Sequence, residues 1–315
     1  MDFQMNDEQK AAVTELRKYL DKKLEPEFAE YGETKIPKEK LREWSMQLAE
    51  FGLINAPQAP EYGGLGLDWV THLLLWEEVA YSSMSVALPI GMNTMIADFI
   101  IRNGSDELIE KYVPGMLRGE ILGSMGVSEP DVGSDVAAVK TRAVRDGDEW
   151  VINGEKTWIS NGSVADFFIC TCRTGERELS HILIERDRGY EVRDLEKVAL
   201  NGKSTAQVFL TDVRVPVSNT LGQIGDGLKN TLITFERARC HMAAWGYPIS
   251  RRALDEAITY STQRVQHGKP IAGHQLIADK IATMATEIDA ARLLTLRAAS
   301  LIDAGVRCEA ECSMA

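Results

Sequence analysis

The chain has 315 residues, 44% of them hydrophobic, which allows one large domain or two to three small ones with a well-buried core. Its formal net charge of -12 argues against a general nucleic-acid or anionic-membrane surface, because such partners gather Lys and Arg clusters and no basic patch occurs. No uninterrupted apolar stretch approaches the roughly 20 residues that cross a bilayer, and the charged start MDFQMNDEQK lacks a signal-peptide core, so a cytoplasmic protein is expected.

The first third follows a helical period. Val13, Leu16, Leu20 and Leu24 mark one face behind a capping Asn6, with Pro26 expected to end the run. Leu41, Trp44, Leu48 and Phe51 form a second stripe closed by Gly52. After a glycine-rich loop at 61–67, Asp68 can cap a third helix through Trp76 and Tyr81, and Ser105 or Asp106 a further one ending at Gly119. From about Ile121 the period changes to two, in short runs at 166–172, 180–185 and 207–213. Asp146-Gly147, Asn153-Gly154, Asn161-Gly162 and Asn201-Gly202 are hairpin signals, since these pairs accept the positive φ of tight primed turns. Past Asp226 the helical period returns, first toward His267 and then from Leu276 to a stop at Gly305, and 309–315 starts like a helix without a stop signal. The expected fold is α+β: an N-terminal helical bundle at 1–120, an antiparallel β-barrel or sandwich at 121–225, and an incomplete C-terminal helical bundle at 226–315.

Five cysteines, an odd number, read as free thiols in a reducing compartment. Cys170 and Cys172 alternate on one strand face, which reads as core packing; no metal-ligand set is found. The run Asn201-Gly202-Lys203-Ser204 holds the GKS of a phosphate loop but has Lys197 in place of the required glycine, so it reads as a hairpin turn. Gly63-Gly64-Leu65-Gly66 follows no strand, which counts against a dinucleotide fold, and no hydrolase order of Ser, His and Asp occurs.

Two short segments carry most of the chemistry. SEPDVGSD at 128–135 lies where a strand gives way to a loop, and Pro130 and Gly133 fix an irregular backbone whose N–H groups and hydroxyls suit phosphate and ribityl oxygens. KTWISNG at 156–162 presents Trp158 and Ser160 on one face if the strand is regular, an indole beside a hydroxyl that suits a flat aromatic ligand with a polar edge. Trp158 alone would read as a core tryptophan.

Taken with EYGGLGL at 61–67, DVRVP at 212–216 and RVQHGKPIAGHQ at 264–275, these segments make the chain resemble the acyl-CoA dehydrogenase family over essentially its whole length. The resemblance implies FAD as cofactor, held by Met125, Val127, Ser128, Ser134, Trp158, Ile159 and Ser160. Ser128 would lie near the pyrimidine end of the isoalloxazine, Ser134 at the pyrophosphate and the entering thioester, and Ser160 at the N5 edge. Arg264 and Gln275 resemble residues lent to the FAD of a neighbouring subunit, which implies at least a dimer and, as is most common in the family, a homotetramer, while His267 stands where many relatives carry Phe and otherwise reads as a surface histidine in a turn. Glu236 and Arg239 would line the acyl-CoA path beside Ser134.

The reaction implied is α,β-desaturation of an acyl-CoA thioester, with electrons passed to an electron-transferring flavoprotein. Most relatives take the α-proton with a Glu from a later segment, a minority from the position of Ala238, and Glu236 cannot replace it because two helical residues are about 200° apart. The base is therefore expected beyond Ala315. Ser82 and Ser83 stand where a relative acting on a dicarboxylic acyl-CoA has Arg, while Gly91, Met92 and Asn93 are candidates for the acyl pocket's floor. A flavin oxidase or monooxygenase of the same superfamily, or a non-catalytic acyl-CoA-binding subunit, are the alternatives.

Overall fold

The computed structural model describes residues 4–315. The chain divides into two compact units, one made of the chain up to Glu25, Asp68–Ala87 and Glu236–Ala315, the other of Pro26–Leu67 and Leu88–Phe235.

In the first unit, α1 (Asp7–Tyr19) opens on a capping box: the Asn6 side chain accepts from Gln9 N at 2.8 Å and the Gln9 side chain from Asn6 N at 3.0 Å. Leu16, Leu20 and Leu24 are fully buried, as their spacing predicts. Pro26 does not end the run. The backbone widens into a π-helical turn at Leu20–Leu24 and resumes as α2 (Glu25–Tyr31). Proline lacks an N–H and crowds the carbonyl four residues back, and a wider turn ahead of it takes up that mismatch.

The same unit contains α4 (Trp69–Ser82), capped by Asp68 onto Thr71 N at 2.7 Å, together with α8 (Gln275–Asp303), α9 (Glu309–Met314) and the later part of α7 (Gly227–Gln263). Leu73, Ala244, Ala298 and Ala299 pack with three buried thiols, Cys240, Cys308 and Cys312. All five cysteines are free and buried. Deeper in, His72 Nε2 and His241 Nε2 lie 3.2 Å apart, with Trp69 4.8 Å and Trp245 5.7 Å from the His241 ring centre. Burial holds both imidazoles below their usual pKa, His241 at about 3, so each is neutral.

In the second unit, α3 (Lys38–Glu50) buries Leu41, Trp44 and Leu48, and α6 (Asp106–Leu117) is capped by Ser105 onto Leu108 N. Between them in sequence runs α5 (Met84–Asn103), which corrects one expectation: it is long and apolar enough to cross a membrane by composition. Two observations mark it as a core helix. Its most apolar window is 67% buried in the protein, and Asn93 and Thr94 at its middle have protein partners, Asn93 Nδ2 donating to Ile121 O and Thr94 Oγ1 to Ile54 O.

The unit's eight-stranded sheet contains β1 (Gly123–Gly126), β2 (Arg142–Asp146), β3 (Glu149–Ser160), β4 (Phe167–Arg173), β5 (Leu179–Glu185), β6 (Glu191–Asp194), β7 (Thr205–Pro216) and β8 (Thr220–Leu221). The order is β6-β7-β3-β2-β4-β5-β8, with β1 beside β4. It is antiparallel except that β1, and β2 through one residue pair, run parallel to β4. Trp150, Ile152, Ile159, Phe168, Cys170 and Cys172 are among its buried core side chains.

Of the four hairpin signals, 146–147 belongs to the β2–β3 hairpin, where Asp146 pairs with Glu149 and Gly147 takes φ +63°. Asn201-Gly202 lies in the longer loop between the antiparallel neighbours β6 and β7. Asn161-Gly162 turns the chain, with Asn161 at φ +62°, but joins strands that do not pair. Asn153-Gly154 is no turn at all: it sits inside β3 as a bulge, marked by a register shift against β7 between Ile152 and Gly154. Gly154 has φ +149°, and a Cβ there would lie 2.5 Å from Thr141 Oγ1, so both backbone angle and space require glycine.

Candidate functional site

The two sequence segments meet in the second unit through a buried ion pair. After β1 the chain makes a tight turn in which Glu129 N donates to Val132 O at 2.9 Å and Val132 N to Glu129 O at 3.1 Å, with Pro130 inside it. The Glu129 carboxylate accepts from Lys140 N at 2.7 Å, Thr141 N at 2.8 Å, Thr141 Oγ1 at 2.6 Å and Lys156 Nζ at 2.9 Å. Both charged side chains are buried, and Lys156 Nζ also donates to Val127 O at 3.0 Å. Burial pushes the Glu129 pKa up, but the hydrogen bonds from Thr141 and Lys156 outweigh it and hold the carboxyl below its usual range. Thr157 N closes the joint by donating to Ser128 O at 3.0 Å.

Beyond that joint β3 stops being regular. Its register against β7 shifts between Lys156 and Ile159, and Trp158 between them has φ +62°. A bulky aromatic in the left-handed region is strained, and such strain collects at ligand sites. The consequence is that Lys156, Thr157 and Ile159 are buried while Trp158 is 64% exposed. The plain two-residue alternation expected for Trp158 and Ser160 is therefore replaced by a bulge that puts the indole outside.

Ser160 is half-buried; its carbonyl accepts from Ser124 Oγ at 2.7 Å and its Oγ from Lys203 Nζ at 2.8 Å. Asn161 anchors the end of β3, its Nδ2 donating to Pro89 O at 2.8 Å and Gly123 O at 3.3 Å. Met125 and Ser128 are half-buried and Ser134 is exposed on its loop. The side chains of Val127 and Ile159 turn into the core, and their carbonyls accept from Lys156 Nζ at 3.0 Å and Gly162 N at 3.3 Å.

The remaining residues lie in the other unit. Glu236 is half-buried and Arg239 exposed on α7. Arg264 follows the end of α7 at the base of a small hairpin, β9 (Val265–Gln266) and β10 (Lys269–Pro270), its carbonyl accepting from Ile271 N at 2.8 Å. His267, with φ +51°, and Gly268, with φ +78°, form the tip, which makes His267 an exposed turn residue. Gln275 opens α8, also exposed.

Sequence reasoning passed over Glu129, Lys156 and Lys203. The first two were inside the segments already singled out, and their opposite charges were the available signal. Lys203 was set aside with the false phosphate loop, and nothing in the sequence joins it to Ser160, 43 residues away.

The end of β3 thus offers an exposed indole at Trp158 and, two residues on, a Ser160 hydroxyl that accepts from the buried Lys203 ammonium and has no acceptor of its own among the described residues. That donor set fits the ring of a flavin. Sequence profiles of the acyl-CoA dehydrogenase N-terminal, middle and C-terminal domains match residues 6–120, 124–213 and 225–315. The chain is 38% identical to a glutaryl-CoA dehydrogenase of Desulfococcus multivorans, over 97% of this chain and 80% of that protein. It is 36% identical to a cyclohexane-1-carbonyl-CoA dehydrogenase of Syntrophus aciditrophicus (strain SB), over 97% and 81%. The butyryl-CoA dehydrogenase structure from Megasphaera elsdenii superposes with a TM-score of 0.93 at 30% identity, covering 100% of this chain and 84% of that one. The chain belongs to the acyl-CoA dehydrogenase family of flavin-dependent oxidoreductases.

Proposed function

We propose that the chain binds FAD against Trp158 and Ser160 and desaturates an acyl-CoA thioester between its α and β carbons. The observation that carries this is the outward indole of Trp158, held at a strained bulge two residues before a hydroxyl that has no acceptor among the described residues. When bound, the flavin supplies the acceptor for the β-hydrogen, which leaves as hydride. The chain's own residues hold and shield. Trp158 covers one ring face, Ser160 offers its O–H to the ring edge, and Ser128 and Ser134 offer polar groups from the adjoining loop. Glu236 and Arg239 border the acyl-CoA path. Arg264 at the base of the hairpin and Gln275 at the start of α8, both exposed, reach the FAD of a neighbouring subunit in a homotetramer, where a guanidinium fork suits a pyrophosphate. An electron-transferring flavoprotein takes the electrons.

For substrate class we favour a neutral acyl group. Ser82 takes the place of a cation, and its hydroxyl accepts from Arg17, whose guanidinium is already engaged by Asp21, Glu25 and Glu78. Arg252, the other guanidinium at Ser82, donates to the Ser82 carbonyl at 3.3 Å and contacts Glu25 at 3.5 Å, so the cations there already face protein partners. Reconstitution with FAD, followed by anaerobic additions of acyl-CoA thioesters, tests the reading: one FAD per chain and a flavin spectrum perturbed more by cyclohexane-carbonyl-CoA than by glutaryl-CoA are expected. A chain that stays colourless after reconstitution contradicts it.

A further inference from the structure

The loop between β6 and β7 carries the lysine that meets Ser160. Lys203 is 8% exposed and its Nζ donates to Ser160 Oγ at 2.8 Å, yet no carboxylate lies within ion-pair reach of it among the described residues. Neighbouring acids are committed elsewhere: Asp194 to Lys35 and to the Ser204 hydroxyl, Glu33 to the backbone N–H of Asn201. Lys197 adds a second positive charge, its ammonium donating to Lys203 O at 2.9 Å. These groups line a cleft of about 420 Å³. Burial, helped by Lys197, lowers the Lys203 pKa to about 8, which still leaves it mostly charged at neutral pH. A buried ammonium without a counter-ion is costly, and its retention points to negative charge that arrives with a ligand.

The hydrogen bond also settles which way Ser160 faces. A hydroxyl has one proton, and an oxygen that accepts from Lys203 turns that proton away from the ammonium, toward a ligand. A cation behind a hydroxyl strengthens it as a donor, most of all where water is excluded. Resting on the flavin site proposed above, we infer that Lys203 is a positioning residue: it orients and polarises the Ser160 hydroxyl toward the flavin edge, so that the bound flavin is reduced more easily. Negative charge gathers at that edge as the ring takes up electrons, so the pair favours the reduced over the oxidised cofactor.

The midpoint potential of bound FAD, measured by spectroelectrochemistry on the wild-type chain, Lys203→Met, Ser160→Ala and the double variant, tests this. Lys203→Gln serves if the methionine variant does not fold. The expected result is a lower potential in Lys203→Met and Ser160→Ala, with Lys203→Met adding much less in the Ser160→Ala background. An unchanged potential in a Lys203 variant that binds FAD normally overturns the inference alone, as does an equal drop in both backgrounds. A wild-type chain that takes up no FAD overturns it together with the flavin site.

Discussion

At Trp158, backbone and ligand make opposite demands. Holding a tryptophan at φ +62° costs on the order of 1 kcal/mol, and glycine removes that cost. Trp158→Gly should therefore leave the flavin-free fold as stable or slightly more so in urea unfolding, while FAD affinity falls by about 1–2 kcal/mol, five- to thirtyfold, through loss of the aromatic face. A tryptophan kept for packing would show the reverse. Lys203 behaves in the same way. A pKa lowered from 10.5 to about 8 means that the unfolded chain holds this proton more tightly, so folding is opposed below pH 8 and the opposition fades as pH rises toward 10.5. Lys203→Met should stabilise the flavin-free chain at pH 7 by about 2 kcal/mol after allowing for the lost hydrogen bond, and should gain nothing near pH 10.5. Glu129 is the contrast, since removing one member of a fully buried ion pair strands the other. Glu129→Gln should cost about 3–5 kcal/mol of stability in denaturant melts.

The bulges in β3 are the elements that aim the site, and they are where sequence reading failed. Strand runs, helix stripes and caps were legible because they follow from spacing: Asn6, Asp68 and Ser105 cap the helices assigned to them. Asn153-Gly154 has the composition of a hairpin turn, but composition cannot tell a turn from a bulge; pairing with β7 on the far side decides it. The bulge at Trp158 had no local signal, because nothing near that residue favours positive φ. Pro26 misled for a related reason: a helix can absorb proline by widening one turn, and the stop rule ignores that route. Gly154→Ala tests the element directly. With a Cβ 2.5 Å from Thr141 Oγ1 and 2.7 Å from Thr141 Cα, it should destabilise the chain by more than about 2 kcal/mol.

Across the whole molecule, the resemblance of ordered motifs gave the family and the α-β-α order. What it could not give was the assembly of long-range partners: Lys203 on Ser160, or His72 on His241, 169 residues apart. The buried histidines set the acid limit of the fold. His72, His181 and His241 all have lowered pKa values, His181 at about 4 and His241 at about 3, so the unfolded state binds more protons below its own pKa. Their stabilisation is complete above about pH 6.5 and drops by about 1.4 kcal/mol per histidine for each pH unit below that, until the folded value is reached. Urea midpoints should fall steeply from pH 6.5 to 5, and less steeply in a variant with both His72 and His241 replaced by leucine. Whether the exposed indole and the hydroxyl beside it are where the cofactor lies is settled most directly by calorimetric titration of FAD into the wild-type chain and the Trp158→Ala, Ser160→Ala double variant. One FAD per wild-type chain and at least tenfold weaker binding to the variant are predicted; equal affinity in the two would contradict the account.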